Sequence, residues 1–496
     1  MNEKNFELTG ENLTIDELYE IMKQNFEIKL SGSAQDKINR SAQIVQAILA
    51  DKKSIYGITT GFGYLQKVNI SLNDTKKLQE NLIISHSAGV GPELSHDIVR
   101  GMMALKINKF ARGHSGIRLA VVDYLLKLLN NNIIPSVPSK GSLGASGDLA
   151  PLAHLSLVLL GKGHAYHNGK KMTGEDALKR VNLKPLELIA KEGLALLNGT
   201  QAMTSVAASS IKNAYYLVKI ANIATALSME IHAGNLDSLH PLIHQARPHS
   251  GQIEAARMIL GYLEGSKCTQ KLIGRQDAYS IRCAPAVHGA VHDTIDHAKR
   301  VTEIEMNAST DNPLLFSVDQ VYSGGNFHGE PIAFILDFLG IALTELGNIS
   351  ERRIERLLNP TLSNLPAFLT SNTGLNSGLM IAQYTAVALT SENRQLSTPA
   401  SIDTTSVSAN QEDHVSMGMN AANKLIKIID NLQYIVGIEL LCAGQAIDLA
   451  DIKDKLSPQC KEVFRTIRSH VSYMDQDREL APDIEQCASL IKEFKL

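Results

Sequence analysis

Gly141-Ser-Leu-Gly-Ala-Ser-Gly-Asp-Leu-Ala-Pro-Leu152 is the stretch from which the fold and chemistry of this chain are interpreted. Its glycines and small side chains allow the central tripeptide, Ala145-Ser146-Gly147, to turn sharply and to approach other groups closely. Asp148 is a candidate N-cap for an apolar helix beginning at Leu149, and Pro151 is tolerated in the first turn of that helix. These features alone predict a small-residue loop that leads into a buried helix.

The tripeptide also permits unusual chemistry. The glycine after Ser146 stands one place too early for the Gly-x-Ser-x-Gly nucleophile elbow, and the stretch lacks the Gly-x-x-x-x-Gly-Lys phosphate loop. It can instead cyclise: the Gly147 amide nitrogen attacks the Ala145 carbonyl, and loss of water leaves Ser146 as a dehydroalanine in a five-membered ring. Because a Cβ on the attacking residue would crowd ring closure, this reaction requires small residues.

The same stretch resembles the signature of the aromatic amino acid ammonia-lyases, which carry a self-made electrophile at Ala-Ser-Gly. The resemblance implies that Ala145, Ser146 and Gly147 form 4-methylidene-imidazol-5-one (MIO) autocatalytically. It implies no external cofactor and no metal ion.

Composition and charge exclude several other classes of protein. With 44% hydrophobic and 20% charged residues, the chain is an ordinary globular sequence. A net charge of −3 without a basic block gives no indication of nucleic acid binding. No signal peptide is evident, and no stretch reaches the roughly 18 uncharged apolar residues of a membrane span. Five scattered cysteines, none in a Cys-x-x-Cys pair, predict a reduced, cytoplasmic protein without a zinc cluster.

Hydrophobic periodicity predicts a mainly α protein. Residues 1–200 form a mixed, mostly helical N-terminal domain that bears the MIO tripeptide, and residues 201–496 form a long-helix bundle domain. The long helices are expected over 204–233, 331–358, 375–391 and 415–449. The resemblance implies the central bundle of the fumarase/aspartase-like lyases.

Tyr56 lies in Tyr-Gly-Ile-Thr-Thr-Gly-Phe-Gly63, which is too rich in glycine for a helix or strand interior and is therefore expected to be a loop. It is similar to the loop that carries the catalytic base in the family. A phenol has a pKa of about 10, so Tyr56 can remove a proton only when a cation or developing positive charge is near.

Two stretches resemble the histidine-specific branch of the family and indicate the substrate. Ser85-His86 stands where tyrosine-specific members have His-Leu and phenylalanine-specific members have Phe-Leu. Gln411-Glu-Asp-His414 stands where those members have Gln-Asp. The resemblance implies that His86 and Glu412 contact the substrate imidazole, because imidazole rings, hydroxyls and carboxylates exchange hydrogen bonds. A carboxylate such as Glu412 before a long helix could also be a simple cap.

Three further motifs supply the remaining candidates. Asn198 offers an amide donor to a developing oxyanion, or could cap a helix. Gln276-Asp-Ala-Tyr-Ser-Ile-Arg-Cys283 contributes Gln276, Tyr279 and Arg282, of which Arg282 is the natural bidentate partner for an amino acid carboxylate. Phe327 resembles the aromatic side chain that covers the substrate in the family.

Other positions depart from the family pattern or from a catalytic motif. Ala286 replaces the family's usual glutamine, which puts one supporting contact in doubt. His288 and His292 would share a helix face, but Gly289 stands where the zinc-protease motif needs glutamate, so both are expected to be structural.

Together these stretches imply the elimination of ammonia from L-histidine to give trans-urocanate. Tyr56 removes the β-proton, Arg282 holds the carboxylate, and MIO makes the amine a leaving group. The family also implies a homotetramer whose active sites are assembled from three subunits, with a small amino acid as the substrate and no nucleic acid or membrane partner.

Three alternatives remain open from the sequence. The chain could be a tyrosine or phenylalanine ammonia-lyase, or an aminomutase that returns the amine to the β-carbon. It could also be an inactive helical scaffold, against which the intact tripeptide, Tyr56 and Arg282 argue. Lyases of the fumarate type are a third possibility, but their Gly-Ser-Ser-x-Met-Pro-x-Lys-x-Asn motif is absent.

Overall fold

A computed structural model describes residues 5–23, 26–51, 55–58, 60, 74–269 and 276–491. Helices dominate this part of the chain. In chain order they are α1 (Ile15–Lys23), α2 (Gly32–Ala50), α3 (Thr75–His86), α4 (His96–Ala111), α5 (Leu119–Asn130), α6 (Leu149–Leu157), α7 (Gly174–Arg180), α8 (Glu192–Leu197), α9 (Gln201–Ile231), α10 (Pro241–Gln245), α11 (Ser250–Tyr262), α12 (Tyr279–Arg282), α13 (Ala284–Met306), α14 (Glu330–Leu358), α15 (Pro360–Ser363), α16 (Met380–Leu396), α17 (Gly418–Leu449), α18 (Pro458–His470) and α19 (Ala481–Leu490). Short 3-10 turns lie at Val158–Leu160, Leu236–Leu239 and Ala367–Leu369.

The strands are short and form small separate sheets. They are β1 (Phe6–Leu8), β2 (Ile28–Leu30), β3 (Val90–Glu93), β4 (Ile134–Pro135), β5 (Pro138–Lys140), β6 (His164–His167), β7 (Lys170–Thr173), β8 (Leu314–Leu315) and β9 (Val321–Tyr322). β1 pairs with β2 in parallel, whereas the β3–β5, β4–β6–β7 and β8–β9 pairings are antiparallel. The β3–β5 pair matters most for function, because β5 leads directly into the stretch that begins at Gly141.

The chain divides into two compact units, each made of discontinuous segments. The first unit comprises residues 1–212, 299–337 and 399–423, and the second comprises residues 213–298, 338–398 and 424–496. The two contiguous domains predicted with a boundary at residue 200 therefore differ from these units. Each of four long helices, α9, α13, α14 and α17, has residues in both units. A single boundary along the chain therefore cannot describe the two units.

Within the first unit, α4 is the central helix, and α1, α2 and α5 pack against it. Residues 98–111 of α4 are all buried, as expected for a helix that is surrounded on every side. Gly101 permits this packing, since a Cβ there would lie 2.3 Å from the Ser205 Oγ. The buried polar side chains of α4, among them Lys106 and Lys109, therefore need partners inside the unit.

Within the second unit, the predicted apolar face of α17 is buried. Leu425, Ile428, Leu432, Ile435 and Leu440 are all shielded from solvent. The same helix also carries a polar side chain inside the unit: Glu439 is fully buried. A carboxylate in such a position requires a cation and several hydrogen-bond donors.

Three of the four predicted long helices agree with the structure to within three residues at each end, and the fourth differs. The helix expected over 375–391 begins five residues later, as α16, after a turn in which Leu375 is exposed. The 23-residue α13 was not predicted at all, although Val291, Ile295 and Ala298 form a buried stripe at helical spacing.

All five cysteines are free thiols. Among the described helices, α14 is long and apolar enough to cross a membrane by length and composition, and 67% of its most apolar window is buried within the chain. A core helix of a folded protein has the same properties.

Candidate active site

The loop that carries the Ala145-Ser146-Gly147 tripeptide is held by two distant segments of the first unit. The Gly144 carbonyl accepts hydrogen bonds from the Gly329 N–H at 3.0 Å and from the Ser416 hydroxyl at 3.1 Å. The Met417 N–H donates to the Leu143 carbonyl at 2.8 Å. The segments that precede α14 and α17 therefore meet at this loop.

The tripeptide itself occupies a cradle that admits only small residues. Ala145 is buried against Val415 and Met417. Gly147 has a φ of +76°, and a Cβ at this position would lie 2.2 Å from the Gly199 carbonyl oxygen. Ser146 is half-buried between them. A small residue before the serine and a glycine after it are what a five-membered MIO ring requires, so the residues present fit this group.

Asp148 differs from its predicted role. It precedes α6, but its side chain caps α9 instead: its Oδ2 accepts the Ala202 and Met203 N–H groups, each at 2.9 Å. The Ser142 hydroxyl donates to Oδ1 at 3.0 Å. Burial raises the pKa of Asp148 to about 6. The prediction was wrong because the sequence places the cap next to α6, whereas α9 begins more than fifty residues later.

Asn198 ends α8 and is buried. Its side-chain amide donates to the Asn312 carbonyl at 3.0 Å, and the following Gly199 carbonyl accepts the Asp148 N–H at 2.7 Å. Asn198 and the tripeptide are therefore joined through the Gly147–Gly199 backbone bridge. The residue caps the end of a helix and not its beginning.

Three buried lysines surround one carboxylate next to Asn198. Lys109 and Lys191 form ion pairs with Asp311 at 2.8 and 3.3 Å. Lys106 and Lys109 donate to the Asn198 carbonyl at 2.6 and 3.2 Å. This cluster was not predictable from the sequence, because its members are scattered along the chain and none belongs to a recognisable motif.

Burial dominates the protonation of this cluster. Desolvation lowers the pKa of Lys109 to about 8 and lowers the pKa of Lys106 further, with the charge of Lys109 adding to the effect. Burial opposes the ionisation of Asp311, but the neighbouring charges of Lys109 and Lys191 outweigh it and lower the Asp311 pKa. The cluster therefore keeps an ionised carboxylate beneath the backbone of Asn198.

Tyr56 lies in a turn whose next two residues, Gly57 and Ile58, pack closely against other parts of the first unit. Ile58 is buried with Val45 and Leu315. Gly57 has a φ of +73°, and a Cβ there would lie 2.7 Å from Leu194 Cδ2. Positions 59 and 61–63 of the predicted loop lie outside the described residues. The anchored part brings Tyr56 close to α8, which ends at Asn198.

His86 ends α3, and its ring is oriented by the chain. Its Nδ1 donates to the Leu82 carbonyl at 2.8 Å, which leaves Nε2 as an acceptor on the neutral ring. Burial lowers the pKa of His86, while the Leu82 carbonyl and the charge of Glu412 act in the opposite direction. His86 is thus a neutral imidazole within electrostatic range of Glu412.

Glu412 belongs to a turn and does not cap α17, which begins only at Gly418. Its backbone exchanges hydrogen bonds with Val407 at 2.9 and 3.3 Å. Val407 in turn packs against the buried cluster that contains Ala145. The turn therefore fixes Glu412 near the tripeptide.

Phe327 is half-buried in the turn that donates the Gly329 N–H to Gly144. His328 and Glu330 follow Phe327 closely, and His414 lies near them in the fold: the two imidazoles and the carboxylate have ligand atoms within 4.8 Å of one another. Such a set could hold a divalent cation. The expectation that no metal is required therefore stays a prediction.

Three predicted site residues, Gln276, Tyr279 and Arg282, belong to the second unit. The Arg282 guanidinium stacks over the Tyr279 ring at 4.6 Å. Among the described residues no carboxylate pairs with Arg282, and its buried Nε has no hydrogen-bond partner. Tyr279 is 70% exposed and Gln276 is also exposed. This arginine is therefore available to an anion.

The first unit thus contains Tyr56, His86, the tripeptide, Asn198, Phe327 and Glu412. The second unit contains Gln276, Tyr279 and Arg282, of which Tyr279 and Arg282 are in contact.

Comparison with known proteins gives consistent matches over nearly the whole chain. The family model "Aromatic amino acid lyase" matches residues 13–469. The histidine ammonia-lyase of Alkaliphilus oremlandii is 48% identical over 491 residues, which cover 98% of this chain and 97% of that protein.

Solved structures agree with this match. The crystal structure of histidine ammonia-lyase from Trypanosoma cruzi aligns with a TM-score of 0.92 and 42% identity, covering 99% of this chain and 94% of that one. Tyrosine aminomutase from Streptomyces globisporus aligns with a TM-score of 0.95 and 37% identity, covering 99% and 97%. The predicted long-helix lyase fold is confirmed by these alignments.

Proposed function

The chain belongs to the aromatic amino acid lyase family, and we propose that it is a histidine ammonia-lyase that converts L-histidine to trans-urocanate and ammonia. The observation that carries this proposal is the placing of His86 and Glu412: the Leu82 carbonyl orients the His86 ring through Nδ1 at 2.8 Å, and Glu412 pairs with Val407, which packs against the Ala145 cluster. These two groups can accept and donate hydrogen bonds to a substrate imidazole. A phenyl ring offers no hydrogen-bond partner for either of these half-buried groups, so phenylalanine should bind less well than histidine.

Ala145, Ser146 and Gly147 would form the MIO group that is characteristic of this family. When formed, MIO supplies an electrophile that makes the substrate amine a better leaving group. The Gly147–Gly199 contact supports ring closure, because it holds the Gly147 backbone in a turn that a larger residue could not adopt. Asn198, joined to the tripeptide through the Gly147–Gly199 bridge, is the amide donor that would stabilise negative charge on MIO, in competition with the Asn312 carbonyl that accepts from it at 3.0 Å.

Tyr56 acts as the base that removes the substrate β-proton. Its turn is anchored through Ile58 and Gly57, so the phenol is carried on a fixed backbone. Removal of this proton requires that the phenol is first ionised, which nearby positive charge favours.

Arg282 binds the substrate carboxylate, with Tyr279 and Gln276 beside it. The guanidinium is half-buried and already oriented by the Tyr279 ring. A bidentate Arg–carboxylate pair both binds the substrate and fixes its orientation. Phe327 covers the substrate on the side of the Gly144 turn.

The active enzyme is a homotetramer in which each site takes residues from three subunits. Exposed apolar side chains on α14 and α16 support this assembly: Phe338, Ile341, Ile381, Tyr384 and Val387 are all exposed in the single chain. A patch of this kind on a folded subunit marks a protein interface. We assign the enzyme to the cytoplasm, consistent with its five free cysteines.

The test is a product assay on the purified protein. Incubation with L-histidine should give urocanate, detected by its ultraviolet absorbance, together with an equal amount of ammonia. A protein that leaves L-histidine unchanged under conditions in which MIO absorbance is present would refute the proposal.

A tyrosine aminomutase is the second candidate, since the structure of such an enzyme aligns over the whole chain. The same assay with L-tyrosine separates the two functions. Production of β-tyrosine or coumarate at a rate above that of urocanate would favour the second candidate.

A further inference from the structure

We propose that Arg353 is a positioning residue for the carboxylate-binding segment Tyr279–Arg282, acting through a buried network of four bundle helices. This inference rests on the proposed function of Arg282. It concerns only contacts within the second unit.

Arg353 of α14 and Glu439 of α17 form a fully buried bidentate pair. The Arg353 Nε lies 2.5 Å from Glu439 Oε1, and Nη2 lies 2.9 Å from Oε2. The Ser350 hydroxyl donates to Oε2 at 2.5 Å, and the Ser228 hydroxyl of α9 donates to Oε1 at 3.5 Å. The carboxylate thus has four donors, which offsets its loss of hydration.

The remaining guanidinium nitrogen, Nη1, points to the candidate site segment. It donates to the Ser280 carbonyl at 3.3 Å and to the His288 Nε2 at 3.5 Å. Ser280 stands between Tyr279 and Arg282 in the four-residue α12. A buried cation therefore holds the backbone of the short helix that presents both side chains.

The protonation of His288 is consistent with this arrangement. Its Nδ1 lies 2.7 Å from the Asn222 Oδ1 of α9, an atom that only accepts, so Nδ1 carries the proton and Nε2 is free to accept from Arg353. Burial, and then the charge of Arg353, lowers the pKa of His288 well below its ordinary value. The ring is neutral, and every polar atom of the network has a complementary partner.

The buried side chain of Ile281 also anchors this segment, but the Tyr279 and Arg282 side chains have few partners among the described residues. The side chains of Tyr279 and Arg282 contact each other, and Arg282 has no ion pair of its own there. Its orientation therefore depends on the backbone of α12. On the upstream side, Asp277 accepts the Asn235 N–H at 2.6 Å. Loss of the Ser280 contact should let the intervening turn shift and misplace the guanidinium.

A purely structural role predicts different behaviour. Buried ion pairs can often be replaced by apolar residues without loss of stability. If Arg353 and Glu439 only fill the bundle, such a replacement should leave substrate binding intact. If Arg353 positions Ser280, the replacement should weaken carboxylate binding even in a stable protein.

The test compares Arg353→Lys with Arg468→Lys in the full-length enzyme. Arg468 is a matched control: it also pairs with a carboxylate, Asp448 at 2.6 Å, and donates to a backbone carbonyl, Val471 at 3.0 Å. Lysine keeps the charge in both variants but cannot serve the carboxylate and the carbonyl together. Only Arg353→Lys should raise the KM for L-histidine, by about tenfold, with kcat little changed, because the lost contact serves binding in both ground and transition states.

Hydrogen exchange gives a readout that is independent of activity. Amides of residues 279–284 should exchange faster in Arg353→Lys than in wild type, and at the wild-type rate in Arg468→Lys. The double variant Arg353→Met/Glu439→Leu, which removes both charges, should show the same KM and exchange changes while remaining folded. Should Arg353→Lys fail to fold, the double variant decides.

The outcomes separate the two proposals. Unchanged exchange at residues 279–284 in a folded Arg353 variant overturns the positioning role, whatever the activity. Faster exchange with an unchanged KM overturns its link to carboxylate binding. Absence of urocanate formation by wild type refutes the proposed function alone, since the exchange measurement does not depend on it.

Discussion

At the scale of single residues, Ser146 provides the clearest test of the chemistry. Replacement by alanine removes the hydroxyl whose loss creates the dehydroalanine, so Ser146→Ala should lack the near-ultraviolet absorbance of MIO. Turnover of L-histidine should fall by more than about a thousandfold, because the electrophile that MIO would supply cannot form. Ser489→Ala, on the exposed surface of α19, is the control and should retain both properties. A fully active Ser146→Ala protein would contradict the assignment.

Glu305 should make the stability of the protein depend on pH. Burial raises its pKa from 4.5 to about 7, despite a hydrogen bond from the Thr200 hydroxyl at 2.6 Å. The folded protein therefore binds more protons than the unfolded chain between pH 4.5 and 7. This stabilisation is fully present below pH 4.5 and is lost as the pH rises through 7.

The measurement compares wild type with Glu305→Gln, which stays neutral. The free energy of unfolding of wild type relative to the variant should decrease by on the order of 3 kcal/mol across that window. A difference that is constant with pH would show that Glu305 does not titrate in this range.

Many site residues were predictable from the sequence because they stand in short, unusual motifs. The tripeptide, Ser85-His86 and the Arg282 motif are contiguous, so their residue types are visible without a structure. Lys106, Lys109 and Asp311 were not predictable. A lysine in a helix is usually solvated, and the carboxylate that makes these two exceptional lies about 200 residues further along the chain.

At the scale of structural elements, the loop between β5 and α6 depends on the small size of Gly147. Gly147→Ala would place a Cβ 2.2 Å from the Gly199 carbonyl oxygen, so we expect loss of MIO absorbance and of activity. Gly169→Ala separates this clash from backbone strain. Gly169 has a similar φ of +74°, but a Cβ there meets nothing within 4 Å.

The control variant, Gly169→Ala, should lower the free energy of unfolding by only about 1 kcal/mol and leave activity unchanged. Equal loss of activity in the two variants would show that positive φ, and not the contact with Gly199, sets the requirement for glycine.

The two α4 lysines of the buried cluster, Lys106 and Lys109, should contribute unequally to the stability of the protein. Lys109→Met leaves the buried Asp311 carboxylate with Lys191 as its remaining ion-pair partner among the described residues and should cost about 3–5 kcal/mol. Lys106→Met removes donors from the neutral Asn198 and Gln201 oxygens and should cost about 1–3 kcal/mol. Urea denaturation measures the free energy of unfolding of both variants. A larger decrease for Lys106→Met than for Lys109→Met would contradict the assignment of Lys109 as the ion-pair partner of Asp311.

Element positions were predicted better than their capping interactions. The long apolar faces of α14 and α17 follow from helical periodicity, and their bounds differ by at most three residues from those predicted. The N-cap of α9 was not predictable, because Asp148 approaches it only in the folded unit.

At the scale of the whole molecule, the proposed tetramer should depend on the exposed apolar face of α16. Ile381 and Tyr384 are 52% and 63% exposed. Their joint replacement by glutamate should lower the mass measured by light scattering and abolish activity, because incomplete sites lack the contribution of other subunits. A variant that stays tetrameric and active would exclude this face from the interface.

The division of the chain into units could not be read from its sequence. Local periodicity reports which residues are helical and which face is apolar, but not that residues 299–337 and 399–423 join the first compact unit. Such grouping depends on long-range contacts, including the Gly329 and Ser416 hydrogen bonds to Gly144.

Product analysis of a competition between L-histidine, L-tyrosine and L-phenylalanine at equal concentrations is the most direct measurement of substrate choice. The His86–Glu412 pair predicts urocanate as the dominant product, with one ammonia released for each molecule formed. Coumarate, cinnamate or a β-amino acid as the dominant product would contradict the assignment of this enzyme to L-histidine.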